Sequence, residues 1–200
     1  VEYKKVFEIG DKIFNTAIDT IASGVKTDGG VLVYNPTGYT ISDIVSVDGK
    51  DTYLENIPAH GYAVVKPTEI KNTVVVDKKH IENELVCVTF DENYNVSSIY
   101  DKVNERELIP AGEKANVFEL FEDFPHAWDA WEISEYYKTK KWTIEDVTNV
   151  TVIKSELSGG LCIERKYGKS TFKQNITLKT GSERVDFDTE IDWHEEHVLL

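Results

Sequence analysis

Tyr3, Val6, Phe7, Ile13, Phe14, Ala17, Ile18 and Ile21 recur at steps of three and four, with Lys and Asp on the positions between. That spacing gathers the apolar residues on one face and predicts a helix over residues 1–23, stopped by Ser23-Gly24. So wide a stripe needs other helices to cover it, and no second strong helical pattern follows. From Val31 onward the period falls to two. Val31-Leu32-Val33-Tyr34 reads as a strand ended by Asn35-Pro36-Thr37-Gly38, where Pro sets φ and Gly admits a positive φ. Further strands are predicted at 40–47, 61–66, 73–77, 84–90 and 96–100. Asp48-Gly49 is a tight-turn signal, and Asp91-Glu92-Asn93-Tyr94-Asn95 a hairpin loop. The last third carries longer strands at 160–168 and 170–179, flanking Gly168-Lys169, and a third at 184–193. In that third strand Val185, Phe187, Ile191 and Trp193 face one way, and Asp186, Asp188, Glu190 and Asp192 the other. Such alternation belongs to a half-buried antiparallel strand. Gly29-Gly30 and Gly159-Gly160 read as turn glycines. The pattern therefore predicts a mainly β protein: one N-terminal helix, a small β unit, and a larger antiparallel β-sandwich rather than a closed barrel.

Composition narrows the partners. The chain has 200 residues, with 22 Lys+Arg against 36 Asp+Glu and a formal charge of −14. Its 40% hydrophobic content supports a true core. A phosphate backbone needs a basic footprint, so nucleic acid is excluded as a general partner, and an anionic membrane surface fits no better. Cys87 and Cys162 stand outside any Cys-x-x-Cys spacing and read as buried reduced thiols, with a disulfide left open. No long apolar run or charged-then-apolar leader is seen, and the expected compartment is the cytoplasm. There is no Met, the chain opens at Val1 inside an amphipathic pattern, and it closes on His197-Val198-Leu199-Leu200. The expectation is a piece of a longer protein.

The candidate chemistry concentrates in residues 116–133, which fit neither period. Phe118, Phe121, Phe124, Trp128 and Trp131 interleave with Glu119, Glu122, Asp123, Asp129 and Glu132. Aromatic faces stack on sugar rings and carboxylates accept hydroxyl hydrogen bonds; paired carboxylates also serve glycoside hydrolysis. The same residues suit a buried loop whose Trp side chains plug the sandwich while its carboxylates satisfy backbone donors. His194-Glu195-Glu196-His197 has an i, i+3 spacing instead of the i, i+4 of a zinc-binding helix, and continuing a strand would turn its two imidazoles to opposite faces. The acidic row from Asp186 to Asp192 reads as a solvated strand face, because a hard cation needs ligands converging from loops. No P-loop, Gly-rich dinucleotide motif or activated Ser or Cys motif is present.

The run Leu120-Phe121-Glu122-Asp123-Phe124-Pro125-His126-Ala127-Trp128-Asp129-Ala130-Trp131-Glu132 resembles a segment of the glycoside hydrolase family 38 α-mannosidases, particularly the cytosolic and bacterial type. Val33-Tyr34-Asn35-Pro36, Ile57-Pro58-Ala59-His60-Gly61-Tyr62 and Ser98-Ile99-Tyr100-Asp101-Lys102 follow in the family's order. Arg165 to Ser170 and Val185 to Glu195 resemble its later strands, so the likeness covers nearly the whole chain. One departure is Asn95, where the hairpin pattern has Gly; a left-handed position tolerates Asn.

The resemblance implies a part of a retaining exo-α-mannosidase, with Zn²⁺ and the Asp nucleophile in an upstream catalytic domain of the same chain. It implies double displacement at terminal α-mannosides, with mannosides or oligosaccharides as partners. It places residues 1–27 as the last helix of an upstream helical bundle, 28–72 as a small β domain and 73–200 as the first part of a galactose-mutarotase-like supersandwich. No catalytic residue, metal ligand or bound cofactor is carried over to this stretch. Trp128, Asp129 and Trp131 are the candidate substrate-binding residues. The alternatives are a stand-alone carbohydrate-binding β-sandwich module and a structural domain that forms a homo-oligomer.

Overall fold

The amphipathic N-terminal segment is helical over Glu2–Ser23 (α1). In the computed structural model, which describes residues 2–128 and 131–200, none of its residues is buried. Tyr3, Phe7 and Phe14 on the apolar stripe are all exposed. The stop is made without a left-handed glycine: Gly24 N–H donates to the Ile21 carbonyl and Val25 N–H to that of Ala22. The positive φ values come later, at Asp28 and Gly29, where the chain turns into the first strand.

The chain divides into two compact units, Val1–Ile70 and Lys71–Leu200. In the first, β1 (Val31–Asn35) pairs antiparallel with β4 (Gly61–Val65), and β2 (Ile41–Val47) with β3 (Lys50–Ile57). Asp48 and Gly49 both take positive φ at the β2–β3 turn, as a two-residue hairpin of matching twist requires. Gly38 does not; the expected role of that glycine falls instead to the Asn35 side chain. Asn35 is fully buried, and its amide donates to the carbonyls of Tyr39, Ile57 and Pro58 while its oxygen accepts from Thr37 N–H and hydroxyl.

The second unit is built on two facing sheets. One has the order β5-β6-β7-β8-β9: Val75–Val76, His80–Glu82, Val86–Phe90, Val96–Asp101 and Arg106–Glu107. The other has the order β12-β13-β14-β15: Val147–Lys154, Ser158–Tyr167, Ser170–Lys179 and Val185–Asp192. Alternate residues of both sheets, among them Ile81, Val88 and Val96 from one and Leu161, Ile163, Ile176 and Leu178 from the other, form one core. This is the expected sandwich. Gly159 and Gly160 are not turn glycines: both are buried within β13. A third, three-stranded sheet has the order β11-β10-β16: Lys141–Thr143, Glu119–Glu122 and Val198–Leu199. A separate cluster of Leu120, Ile144 and Phe172 lies beneath it, with Phe118, Trp142, Tyr167, Trp193 and Val198 packed around it. No helix among the described residues is long and apolar enough to cross a membrane. Both cysteines are free, Cys162 buried and Cys87 half-buried.

The β7–β8 hairpin corrects one expectation. Its left-handed residue is Tyr94, not Asn95. Asp91 organises the loop by accepting from the N–H groups of Asn93 and Asn95 and from the Asn95 amide, with Lys114 2.5 Å away. Arg165, almost wholly buried, clamps the loop from the opposite sheet by donating to the Asn93 and Tyr94 carbonyls. Burial pushes the Asp91 carboxyl up, but Lys114 and Asn95 together hold it below the usual carboxylate range. Asn104, with Arg106 behind it, lowers Asp101 at the end of β8. Carboxylates depressed in the folded state bind fewer protons than in the unfolded chain. Their contribution is therefore complete above the unfolded value of about 4 and is lost as pH falls through the folded value. We expect urea midpoints to fall between about pH 5 and about pH 2, and Asp91→Ala to flatten that slope and cost about 1–3 kcal/mol at neutral pH. An unchanged slope in the variant would remove Asp91 from the acid transition.

Candidate functional site

Strand β10 passes through the aromatic and acidic stretch and sets its geometry. Leu120 pairs with Trp142 on β11, and Glu122 with Val198 on β16, so Leu120, Glu122, Trp142 and Val198 share one face of the sheet. Leu120 is buried at the base of that face, and Trp142 packs against the cluster beneath it. Glu122 forms an ion pair with Lys140, whose Nζ lies 5.9 Å from the Trp142 ring. Tyr167, at the end of β13, sits 6.2 Å from Trp142 between ring centroids. Past the strand, Phe124 stacks on His197 with centroids 4.6 Å apart and planes 19° apart. Asp123 N–H holds the two segments together by donating to the His197 carbonyl at 2.9 Å, and His197 itself takes a φ of 55°.

These side chains border an open groove of about 450 Å³, walled by Phe124 and His197 on one part and Trp142 and Tyr167 on another, with Glu122, Lys140 and Glu196 on its rim. A second hollow of about 340 Å³ shares Glu196, His197 and Val198 with it and adds Asp123 and Pro125. The Asp123 Oδ1 atom is buried and has no hydrogen-bond partner. An ordinary carboxylate acceptor in that position costs free energy unless a donor reaches it.

The tip of the segment contradicts the reading of a buried plug. Trp128 is 74% exposed with a φ of 63°, and Trp131 is 88% exposed. Trp131 and Glu132 N–H both donate to the Trp128 carbonyl. Nor do the carboxylates of β10 serve backbone donors: Glu119 pairs with Lys141 and Glu122 with Lys140. Asp129 lies outside the described residues. Trp128 and Trp131 do not line either hollow.

The His194–His197 segment does not continue the strand as expected. The strand β15 ends at Asp192, and the chain crosses over to form β16. His194 Nε2 meets Asp192 at 3.0 Å, whereas His197 stacks on Phe124, so the two imidazoles serve different neighbours. Between them Glu195 caps the β13–β14 turn by accepting from Lys169 N–H, Ser170 N–H and the Ser170 hydroxyl. The Ser170 hydroxyl, aided by these backbone donors, holds the Glu195 carboxyl below its usual range. Among the described residues no group of three His, Cys, Asp or Glu side chains is arranged to hold a metal ion. The acidic face of β15 is largely exposed, as expected, with Asp186 paired to Arg184.

Trp142, Tyr167 and Lys140 were not singled out by sequence. Trp142 and Tyr167 come from strands and Lys140 from the bend just before β11, and only the pairing of β10 with β11 and the packing of the β13–β14 turn bring them to Glu122 and Phe124.

Residues 81–200 match the family described as glycosyl hydrolases family 38 C-terminal domain. The chain belongs to glycosyl hydrolase family 38. The family 38 match runs from β6 to the last residue and contains the groove, Trp128, Trp131 and the later strands that carry the resemblance, while the Val33–Pro36 and Ile57–Tyr62 segments lie before it. The chain is 25% identical to alpha-mannosidase 2C1 of Homo sapiens over 99% of its length, and 24% identical to alpha-mannosidase 2C1 of Mus musculus over the same share. Alpha-mannosidase G of Dictyostelium discoideum is 24% identical over 92% of the chain. The chain spans 21% of the length of the two mammalian relatives and 17% of the third.

Proposed function

We propose that this chain is the non-catalytic β region of a retaining, zinc-dependent exo-α-mannosidase that acts on terminal α-mannosides in the cytoplasm. The observation that carries the reading is the family 38 match, together with α-mannosidase relatives that align over nearly the whole chain while being about five times as long. In this reading Zn²⁺ and the nucleophile belong to a catalytic domain outside this stretch. In the same reading residues 1–27 are the last helix of a bundle, 28–72 a small β domain and 73–200 the first part of the large sandwich. The exposed apolar stripe of α1 supports the first of these. Trp128, Asp129 and Trp131 are the residues proposed to meet sugar, supported by the exposure of both tryptophans.

Incubation of the purified chain with a chromogenic α-mannoside and added zinc tests the reading. The expected result is no turnover above buffer over hours. Chelator-sensitive turnover would overturn the non-catalytic assignment and direct attention to His126, His194, His197 and Asp129. A second reading, a stand-alone carbohydrate-binding module, is favoured by the same exposed tryptophans and predicts saturable sugar binding without turnover.

A further inference from the structure

We propose that the open edge of β15 is a docking site for an extended polypeptide segment that alternates basic and apolar side chains and adds to the sheet as a fifth strand. The first observation is the edge itself. β15 pairs with β14 over Val185–Asp192 and, among the described residues, with no strand on its other side. Such an edge presents a row of unpaired N–H and C=O groups, which an incoming strand satisfies by main-chain hydrogen bonds. The second observation is the core-side face of the strand. Val185, Phe187 and Ile191 are in register with Leu178, Ile176 and Phe172, all three of them buried. Phe187 and Ile191 are nevertheless 41% and 39% exposed, so the apolar face of this sheet runs on past the part that the opposing sheet covers.

The opposite face decides the charge of the partner. Asp186, Asp188, Glu190 and Asp192 stand two residues apart along it, and β14 sets Thr177, Asn175, Lys173 and Thr171 against them, one cation for four carboxylates. Arg184 pairs with Asp186, and His194 meets Asp192. Asp188 and Glu190, in the middle of the row, are both exposed and have no ion pair among the described residues. Basic side chains at alternate positions of an added strand lie directly across from that row, and the intervening apolar ones lie beside Phe187 and Ile191. A second copy of this chain does not fit. Pairing two β15 edges with their apolar residues on one face sets carboxylate against carboxylate, and the charge of −14 opposes the encounter. The row equally rejects acidic segments, so the edge is selective.

The inference is carried by β15 alone and is independent of the mannosidase reading, which the turnover assay judges. The probe is an end-capped, dye-labelled peptide alternating Lys and Val, followed by fluorescence anisotropy as the full chain is added. Two controls accompany it: a peptide of the same composition with its Lys residues in one block, and one alternating Glu and Val. Saturable binding of the alternating Lys peptide alone is expected, with amide hydrogen exchange slowed in Val185–Asp192 and unchanged in β12 at the other edge of the sheet. Asp188→Asn combined with Glu190→Gln should weaken that binding roughly three- to tenfold, the loss of two exposed cross-strand charge pairs, and should reduce its salt dependence. Both side chains are exposed, so the variant keeps the fold, which thermal unfolding would verify. Equal binding of the block peptide would reduce the contact to charge alone and overturn the added strand, as would binding of the Glu peptide. No saturable binding, slowed exchange in β12 instead of β15, or full affinity in the variant overturns the site. Sedimentation that rises with chain concentration, with β15 protected in the absence of peptide, would give the edge to a second copy and overturn it too.

Discussion

Gly160→Ala is expected to cost about 3–5 kcal/mol, among the largest effects available to a single methyl group in this chain. Gly160 lies inside β13, opposite Ile153 on β12 and Thr177 on β14. A Cβ there would overlap the Ile176 carbonyl oxygen and lie 2.8 Å from Thr177 Cγ2 and 2.9 Å from Thr177 Cα. Two of those atoms are backbone, held by a ladder that pairs β13 with β14 over ten residues, so no side-chain rotation relieves the overlap. Either β14 moves away and breaks the central pairing of the sheet, or β13 does. Gly159→Ala is the instructive neighbour. Its Cβ would meet Val76 Cγ2 at 2.8 Å and Val74 Cγ1 at 3.1 Å, both side-chain atoms that can shift, and about 1–2 kcal/mol is expected. Urea unfolding followed by far-UV circular dichroism measures both. A Gly160→Ala variant within about 1 kcal/mol of the parent, or one milder than Gly159→Ala, would show that β14 yields easily.

That pair of glycines also marks what the sequence could and could not convey. Two adjacent glycines are the usual signature of a turn, and nothing local distinguishes a turn from a strand whose neighbour approaches too closely for a Cβ. The long strands of the last third were legible because Val185 to Ile191 and Phe172 to Leu178 alternate cleanly with polar residues. Strand β12 was not: its register shifts between Val147 and Asn149, and a bulge moves the apolar residues to the opposite phase. In β3 the only fully buried apolar residues are Leu54 and Ile57, three apart and embedded among charged and polar residues, so no period-two signal survives. The loop chemistry was partly misread for a similar reason. Asn35 and Asp91 organise their turns through side-chain hydrogen bonds, whereas composition directs attention to the nearby Gly38 and Asn95. For the candidate site, the Glu119–Trp131 segment was legible from its unusual composition and from its family resemblance. The groove was not, because Trp142 and Tyr167 reach it only through tertiary packing.

The same packing makes Phe172→Ala the second large effect, and one that separates stability from site geometry. Phe172 is 2% exposed on the inner face of β14. Its ring lies 5.2 Å from Phe118 at 56° and 6.1 Å from Trp193 at 80°, and Leu120 and Ile144 complete the buried cluster. Removing it leaves a cavity under the sheet that carries Trp142, and about 3–5 kcal/mol is expected. Ile176→Ala, four residues along the same strand, should cost a comparable ~2–5 kcal/mol, but it empties the sandwich core of Leu161, Ile163 and Leu178 instead. Loss of stability alone therefore does not distinguish the two. The near-UV circular dichroism of the folded variants does, because Trp142 and Trp193 both pack on the Phe172 cluster and neither on the Ile176 core. Phe172→Ala should reduce the Trp bands under conditions where the variant remains folded, while Ile176→Ala leaves them near the parent's. Equal near-UV spectra for the two variants would mean that the aromatic wall is held by β10 and β11 alone. The cluster beneath it would then contribute stability without setting the shape of the groove.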